Sequence, residues 1–554
     1  MSSNLHFKNS KFMHTQAQLS FDMAMLLYVF IIASFFSFVY FFHCRRFSKH
    51  PLLVDYPILG MLPTVIFNLW RVHDFFTEVL TKHGGTGEFK GPWFTKMNYL
   101  VTCDSLNVQH MLCKRFDNYI KGSEFREIFE PFGDGVVTAD SETWKYFRTV
   151  LHSLIKQRRF EVFVDQTVQK KVYTSLLPIL DHAQQQGRVV DLQDIFNRFT
   201  FDNICSTIVG HDPKCLSIDF PEVAIEKAFN ECEESIFYRH VVPGSVWKLQ
   251  KWLQIGQEKK MTEACRTFDD FIYSCIASKR EELSKCSREE MEEAPFDLLT
   301  ALITEERGRL HDDKFLRDGA FNFFVAGRET MTSALTWFFW LIAKHPLVEA
   351  KILEEIRDHF KTDEKKTVDC GDHGFHEDHH DHNLDQEQYL EKSVSGEVLG
   401  MQEVKKLVYL HGALCEALRL FPPVPIERKQ AVKADTLPSG HRVNGNTMIM
   451  FSLYAMGRCE EIWGKDCLEF KPERWISDRG EIVYAPAYKF IAFNAGPRIC
   501  LGKDLAFVQM KMVAAAILRK YCFKVVEGHV ATPTHSIVLL MKNGLKARIM
   551  KREV

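Results

Sequence analysis

The stretch that decides the fold is Phe493–Gly502, which reads Phe-Asn-Ala-Gly-Pro-Arg-Ile-Cys-Leu-Gly. A Gly-Pro turn precedes the cysteine and a second glycine follows it, so the backbone can approach a flat ligand closely. Residues 503–520 carry apolar side chains at helical spacing, which places Cys500 at the N-terminus of a helix. Exposed N–H groups and the helix dipole lower the pKa of a thiol there and favour the metal-binding thiolate. Arg498 adds positive charge and can hold a carboxylate through two N–H groups.

The decapeptide matches the FxxGxRxCxG signature of the cytochrome P-450 family at every fixed position, and the chain resembles that family. The resemblance implies a mainly α fold with small β-sheets and heme b as cofactor. Cys500 would be the axial ligand of the haem iron, and Arg498 would contact a haem propionate. Phe493 would pack near the sulfur, while Gly496 and Gly502 would shape the haem-binding turn. A thiolate ligand favours O–O cleavage, so the implied enzyme is a monooxygenase that uses O2 and NADPH-derived electrons.

The long apolar stretch Asp313–Lys344 predicts one helix, and its centre at 326–330 reads AGRET. Charged residues in so apolar a helix cost free energy to bury unless they have partners or a role. The stretch resembles the family's oxygen-binding helix with its AGx(D/E)T core. Glu329 and Thr330 would then form an acid–alcohol pair that delivers protons during oxygen activation. The catalytic residues implied by this resemblance are Ala326, Gly327, Glu329 and Thr330.

Two weaker patterns stand at the order and distance that the family requires. Trp144-Lys-Tyr-Phe-Arg148 fits its WxxxR helix, in which Trp144 and Arg148 would meet a haem propionate. Glu416-Ala-Leu-Arg419 places opposite charges at i and i+3 on one helical face, and the string PERW follows at 472–475. These resemble the family's ExxR and PERW elements. The residues that would lock the scaffold behind the haem, in a structural role, are Glu416, Arg419 and Arg474.

Composition and charge exclude some classes of protein. The chain has 554 residues and is 46% apolar, which allows a large core. Lys and Arg total 70 against 72 for Asp and Glu, so charge gives no support for nucleic-acid binding. Fifteen scattered cysteines without a CxxC pair indicate a reducing compartment around the body of the protein.

The segment Ala24–Phe42 contains nineteen residues without a charge, enough to cross a hydrocarbon core of roughly 30 Å. Arg45, Arg46 and Lys49 follow it, so the positive-inside rule places the catalytic body in the cytosol. We therefore expect a single-pass signal anchor in the endoplasmic reticulum membrane rather than a cleaved signal peptide. The expected domains are a tail at 1–23, the anchor at 24–42, a basic Pro-rich linker at 43–63 and the catalytic domain at 64–554.

Within the catalytic domain, residues up to about 345 have a mainly helical pattern, and strands are expected near 434–452 and 521–550. The segment 362–395 is acidic and His-rich and predicts an insertion between two helices. Imidazoles are ligands for zinc, copper or nickel, but a solvated low-complexity loop is the favoured interpretation. Its clustered histidines are His373, His376, His379, His380 and His382.

Longer strings such as FGDGVVTAD (132–140), LPSGHRV (437–443) and FKPERWISDRG (470–480) resemble those of plant fatty-acid and alkane hydroxylases. The similarity is strongest to the midchain alkane hydroxylases of wax biosynthesis. It implies hydroxylation of long-chain alkanes at midchain and onward oxidation to the ketone. The alternatives are fatty-acid ω-hydroxylation and the phenol coupling of alkaloid biosynthesis.

An apolar lining would suit a long hydrocarbon, whereas Arg126 or Arg428 could instead receive a fatty-acid carboxylate. The expected substrate walls are 120–137, the oxygen-binding helix with Phe321, Phe323 and Phe324 nearby in sequence, 424–428 and 536–541.

Other classes remain open: a peroxide isomerase or dehydratase on the same scaffold, a haem-binding sensor or carrier, and a non-haem scaffold with a His-rich metal loop. The intact Glu329–Thr330 pair argues against the first two. Gly84-Gly85-Thr86-Gly87 lacks the strand–GxGxxG–helix context of a nucleotide site, so electrons must come from outside the chain. The implied partners are a membrane-bound NADPH-cytochrome P-450 reductase, O2, the membrane and a hydrophobic small molecule.

Overall fold

The computed structural model describes residues 30–38, 40, 52–93, 95, 97–287, 296–304, 311–369 and 398–552. These ranges are mainly helical and contain small β-sheets, as predicted. The chain forms two compact units, Met1–Phe75 with Glu88–Tyr99 and Phe76–Gly87 with Leu100–Val554. All predicted site residues belong to the second unit.

In the first unit, an isolated β-bridge joins Tyr56 to Gly60, and the next residues enter the first labelled helix. Pro63 lies in the first turn of that helix, where the missing N–H of proline costs no hydrogen bond. Of the predicted anchor, residues 30–38 and 40 are described and helical, and the rest lies outside the described residues. Across the described ranges, we find no helix with the length and apolar character needed to span a membrane.

Helices account for most of the regular structure in the described residues. They are α1 (Leu62–Phe67), α2 (Val72–Lys82), α3 (Ser105–Gln109), α4 (Gly122–Ile128), α5 (Ser141–Ile155), α6 (Arg158–Lys171), α7 (Leu177–Gln185), α8 (Leu192–Val209), α9 (Ala224–Val241), α10 (Gly244–Leu253), α11 (Gly256–Lys285), α12 (Leu298–Thr304), α13 (Asp313–Gly327), α14 (Glu329–Lys344), α15 (Pro346–Asp369), α16 (Met401–Lys405), α17 (Val408–Leu420), α18 (Leu453–Met456), α19 (Glu460–Trp463) and α20 (Lys503–Lys520).

The core lies where α14 packs against α8, α17 and α20. Local sequence explains the ends of α8: Asp191 accepts a hydrogen bond from the backbone N–H of Gln193 (3.0 Å), and Gly210 ends the helix in the left-handed region. Helix α14 is apolar nearly all round, as a helix surrounded by others must be. Its Trp337 stacks on Phe421 with 4.1 Å between ring centroids.

The prediction of one helix over Asp313–Lys344 is wrong at one point, because α13 ends at Gly327 and α14 begins at Glu329. Arg328 joins them with φ −84° and ψ −76°, still in the right-handed region, and its backbone N–H donates to the carbonyl oxygen of Phe324 at 3.1 Å. The hydroxyl of Thr330 donates to the carbonyl oxygen of Ala326 at 2.6 Å. A hydroxyl that bonds back to the preceding turn in this way can bend a helix, and this bond spans the interruption.

The strands form small sheets. They are β1 (Thr86–Phe89), β2 (Tyr99–Thr102), β3 (Tyr119–Ile120), β4 (Val189–Asp191), β5 (Ile426–Ala431), β6 (Asp435–Thr436), β7 (Arg442–Val443), β8 (Met448–Ser452), β9 (Tyr521–Val525) and β10 (Lys546–Lys551). The largest sheet has the order β1-β2-β8-β5-β3, with Ile426 opposite Ser452, and another has the order β4-β10-β9. The strands expected near 434–452 and 521–550 are present as β6 to β10. Strand β5 was not predicted, because its sequence IERKQA is rich in charge.

A buried carboxylate on α17 fastens the segment that follows α19. Glu416 is fully buried, and Arg419 binds it through two N–H···O contacts of 2.7 Å each. Arg474 approaches the same carboxylate at 3.4 Å, the indole N–H of Trp475 donates to it at 2.9 Å, and the backbone N–H of Lys471 donates at 3.1 Å. A buried charge is tolerated only when it is paired and hydrogen-bonded, as this one is.

Helix α15 reaches Asp369, inside the predicted insertion at 362–395. The five clustered histidines of that insertion lie outside the described residues. The cysteines within the described ranges are free thiols.

Candidate functional site

The turn that carries Cys500 is built from the decapeptide itself. Gly496–Arg498 forms a 3-10 turn, the backbone N–H of Cys500 donates to the carbonyl oxygen of Phe493 (2.8 Å), and α20 begins at Lys503. Gly496 has φ +64°, and a Cβ atom there would lie 2.0 Å from the carbonyl oxygen of Leu112. Only glycine fits this position, because both the left-handed conformation and the space exclude a side chain.

The Cys500 side chain is accessible, yet protein atoms surround it closely and burial raises the pKa of its thiol above the ordinary value. The backbone N–H of Gly502 and the charge of Arg148 lower the pKa of the thiol, but their combined effect is smaller. The expectation of a lowered thiol pKa is therefore wrong in its net direction for the protein alone. The predicted place of the cysteine, just before a helix, is confirmed. A bound metal cation would supply the further positive charge that favours its thiolate.

Two arginines and a tryptophan surround this turn. Arg498 donates to the carbonyl oxygen of Ala139 (2.7 Å) and to Asp140 (2.8 Å), and it lies over the ring of Trp144 at 4.7 Å. Arg148, one turn along α5 from Trp144, donates to the carbonyl oxygen of Ile499 at 2.8 Å. The structure thus brings Trp144, Arg148 and Arg498 together at the turn that carries Cys500. Their predicted contacts to a haem propionate stay predictions.

A buried lysine near this turn was not predicted. Lys429 of β5 is fully buried, and within the described residues its ammonium group has no hydrogen-bond partner. Burial, and then the charges of Lys121 and Arg498, lower the pKa of Lys429 well below its ordinary value. The string IERKQA is rich in charge and typical of a solvated edge strand, so the sequence did not indicate that its lysine is buried. Its burial beside Arg498 makes it a candidate for binding an anion.

The turn is also connected to this charged group by hydrogen bonds. Asn494 donates to Glu427 at 3.3 Å, and Glu427 pairs with Lys121 at 2.9 Å. The guanidinium Nε of Arg498 has no partner among the described residues, although the side chain is largely buried. An orphaned N–H next to a thiol and buried cations fits a flat metal cofactor with carboxylate substituents. The residues present therefore fit the haem that the signature implied.

Phe493 packs in an aromatic row behind the turn. Its ring lies 5.2 Å from Phe507 of α20 and 6.4 Å from Phe490, and Phe490 in turn contacts Trp475 at 4.6 Å. Burial keeps the His411 imidazole, stacked on Phe507 at 4.3 Å, neutral by lowering its pKa to about 3. Phe493 thus lies in this aromatic row at the start of the turn that carries Cys500. Its packing beside the sulfur stays a prediction.

The predicted catalytic residues at the helix interruption differ in how exposed they are. Ala326 is exposed and Thr330 is half-buried, so both present accessible surface. Glu329 is only 6% exposed, and its Oε1 lies 3.9 Å from the guanidinium of Arg328. Gly327 lets α13 approach α8 closely, since a Cβ atom there would lie 2.5 Å from the side chain of Ile204.

Of the predicted substrate walls, Phe321 and Phe324 are instead buried in the core, where both contact Phe268 of α11. Phe323 is half-buried at the edge of that core. Arg126 is exposed, and Arg428 is buried and paired with Glu124 at 2.9 Å. A helix with apolar residues on all sides does not reveal from sequence which of them face inward.

The chain is similar to members of one protein family along nearly its whole length. The family model described as Cytochrome P450 matches residues 51–373 and 380–547. Alkane hydroxylase MAH1 of Arabidopsis thaliana is 41% identical over 520 residues, covering 93% of this chain and 96% of that protein. Cytochrome P450 86B1 of Arabidopsis thaliana is 41% identical, covering 92% and 88%. Noroxomaritidine synthase of Narcissus aff. pseudonarcissus MK-2014 is 39% identical, covering 94% and 96%.

The tight turn before Cys500 yields a prediction with an internal control. Gly480→Ala introduces a side chain at φ +75° with no atom within 4 Å, so it should cost only the strain of that backbone, about 1 kcal/mol. Gly496→Ala adds the collision with Leu112 and should cost more than about 3 kcal/mol. Thermal unfolding midpoints measured at one heating rate compare the two. Equal losses in the two variants would contradict the proposed close approach.

Proposed function

Because the chain belongs to the cytochrome P450 family and is an oxidoreductase with heme b as its cofactor, we propose that it hydroxylates long-chain aliphatic substrates. The working substrate class is long-chain alkanes, oxidised at a midchain carbon and onward to the ketone. The observation that carries this choice is the 41% identity to an alkane hydroxylase over nearly the whole of both chains. Substrate class transfers less securely than reaction class, so it needs direct measurement.

The residues around the turn have separate roles in this proposal. Bound through the Cys500 thiolate, the haem would supply the chemistry that inserts one oxygen atom of O2 into a C–H bond. Arg498, Arg148 and Trp144 would hold the haem propionates, with Lys429 as a further cation. Gly502, whose N–H bonds to the thiol, would stabilise the thiolate by that contact.

On the interrupted helix, Ala326 and Gly327 would keep the surface beside the reacting atoms small. Thr330 would hold a proton at its hydroxyl Oγ1, which already donates to the carbonyl oxygen of Ala326. Glu329 would supply protons toward Thr330 from its buried position.

Two loops that would line the substrate space are tied to the helices on either side of Arg328. Asn322 of α13 accepts from the backbone N–H of Val137 (2.9 Å) and donates to the carbonyl oxygen of Phe132 (2.8 Å). On α14, Ser333 and Trp337 donate to the carbonyl oxygen of Leu539 at 2.8 and 2.6 Å. These bonds fix loop backbones that carry half-buried apolar side chains, namely Phe129, Val136, Val137 and Ile537.

Charge supports an alkane over a fatty acid. Arg428, which was a candidate for a fatty-acid carboxylate, pairs with Glu124, and Arg126 is exposed. An apolar lining stabilises a hydrocarbon chain by roughly 0.8 kcal/mol per buried CH2 group and provides no charge to orient a carboxylate.

We expect microsomes containing the protein, supplied with reductase and NADPH, to convert long-chain alkanes to secondary alcohols and then ketones. Fatty acids and phenolic amines belong in the same panel, with products identified by mass spectrometry and Cys500→Ala microsomes as the blank. Predominant ω-hydroxylation of fatty acids would replace the alkane assignment. Turnover of phenolic amines alone would contradict aliphatic hydroxylation altogether.

The family acts on hydrophobic substrates with O2 and a redox partner, and we propose that both meet the protein at the endoplasmic reticulum. The uncharged segment 24–42 would be the single-pass anchor, followed by the linker 43–63 and the catalytic domain 64–554 in the cytosol. A membrane-bound NADPH-cytochrome P-450 reductase would then lie on the same face.

The anchor is tested by deleting residues 1–51. The full chain should remain in microsomes after an alkaline wash and lose its catalytic domain to added protease, because that domain faces the cytosol. The deletion variant should lose most of its alkali-resistant membrane association. Protection of the catalytic domain inside sealed microsomes would contradict the orientation.

A further inference from the structure

A buried carboxyl group of α9 faces the acid of the interrupted helix. Glu233 is 5% exposed and Glu329 is 6% exposed, and their carboxyl groups lie within hydrogen-bonding reach of each other. Glu233 lies on the same face of α9 as Asn230 and Glu226, three and seven residues earlier, and both of these contact Arg328, the residue next to Glu329. No N–H or O–H group of the described residues, apart from a proton on this pair itself, donates to either oxygen of Glu233 or to Oε2 of Glu329. Two carboxylates cannot hydrogen-bond to each other, because an ionised carboxylate only accepts. Two ionised carboxylates this close would also repel each other, so we expect one of the two residues to bind a proton.

The charges around this pair lead to the same conclusion. Arg328 is the cation that acts on Glu233, but its guanidinium is shared. It lies 3.2 Å from Glu226, 2.6 Å from the amide oxygen of Asn230 and 3.9 Å from Glu329. Three buried carboxyl groups thus meet one positive charge. Two ionised carboxylates in excess would be costly in such a site, so at least one should bind a proton.

Of the three carboxyl groups, Glu233 is the one we expect to bind the proton, because neither of its oxygens has a hydrogen-bond donor from another group of the described residues. Burial, and after it the charge of Glu329, raise the pKa of Glu233 well above its ordinary value, and Arg328 only partly opposes this. Glu226 and Glu329 instead pair with the guanidinium of Arg328, at 3.2 and 3.9 Å. The thiol of Cys232, next to Glu233 on α9, is also neutral, because its contact with Cys265 and its burial raise its pKa.

We propose that Glu233 is a positioning residue for proton delivery: its protonated carboxyl donates to Glu329 and holds that carboxylate in place beside Thr330. This inference rests on the proposed function of Glu329 and deepens it. Movement of the proton across the pair breaks one O–H bond on Glu233 and forms one on Glu329, so the total charge of the pair does not change. The inference requires nothing from the haem.

Infrared spectroscopy of the holoenzyme tests the proton itself, without turnover. The wild-type protein should show the carbonyl-stretch band of a neutral carboxylic acid, shifted in D2O and absent in Glu233→Gln. In Glu329→Gln the band should persist at a changed frequency, because the acid remains and its acceptor is altered. Glu234→Gln, at an exposed neighbour on the same helix, should leave the band unchanged. A wild-type spectrum without a band that depends on Glu233 would overturn the inference.

Coupling between NADPH consumption and product formation tests the positioning role. Glu233→Gln keeps an N–H donor for Glu329 and should couple within about twofold of wild type. Glu233→Leu removes the donor and should lower coupling by about tenfold, less than the full contribution of roughly 10²–10⁴-fold expected for a positioned proton donor. Equal coupling in the Leu and Gln variants, with haem spectra intact, would contradict the role. Failure on every aliphatic substrate would instead reject the proposed substrate, and the infrared result would still stand.

The raised pKa of Glu233 sets the direction in which the stability of the folded protein should change with pH. A carboxyl group with a raised pKa in the folded state keeps its proton at low pH and loses it as pH rises through that pKa. Two buried carboxylates then face each other, and stability falls. The thermal midpoint of the wild-type protein should therefore fall more steeply with rising pH than that of Glu233→Gln. Parallel curves for the two proteins would contradict the shared proton.

Discussion

The site depends on a buried carboxylate whose neighbours extend to the cysteine. Glu416 accepts the indole N–H of Trp475 at 2.9 Å, and Trp475 packs on Phe490 with 4.6 Å between centroids. Phe490 contacts Phe493, whose carbonyl oxygen accepts the backbone N–H of Cys500 at 2.8 Å. A well-packed interior transmits strain, so a side chain far from the chemistry can fix the direction of the sulfur. The position of Cys500 thus depends on the hydrogen bonds that satisfy one buried charge.

The charged side chains near Cys500 and those around Arg328 are of opposite sign. Near Cys500, positive groups accumulate: Arg148, Arg498 and Lys429 create a region that an anionic cofactor with a metal ion can complete. Around Arg328, negative groups accumulate, and a shared proton is the least costly way to balance them. A site that needs a thiolate and a proton supply gains from holding these charges on separate elements.

Much of this was predictable from sequence where the signal is local. The decapeptide fixed the turn, the start of the helix at Lys503 and the approach of Arg498, because its glycines and cysteine act within ten residues. Glu233 was not predicted, since a glutamate in the string CEESIF looks like any solvated helical charge. Lys429 escaped notice for the same reason in a strand. Their proposed roles depend on Glu329 and Arg498, which are distant from them in sequence. Local sequence patterns do not show which distant residues meet in the fold. The direction of the thiol pKa shift depended on burial, which the motif does not encode.

We propose that the thiolate of Cys500 binds the haem iron. The absorbance spectrum of the reduced protein with carbon monoxide tests this bond most directly. The wild-type protein should show the long-wavelength Soret band that distinguishes thiolate-ligated haem, and Cys500→Ser should lose that band together with oxygenase turnover. A Cys500→Ser protein that keeps both the thiolate-type band and its turnover would contradict the account.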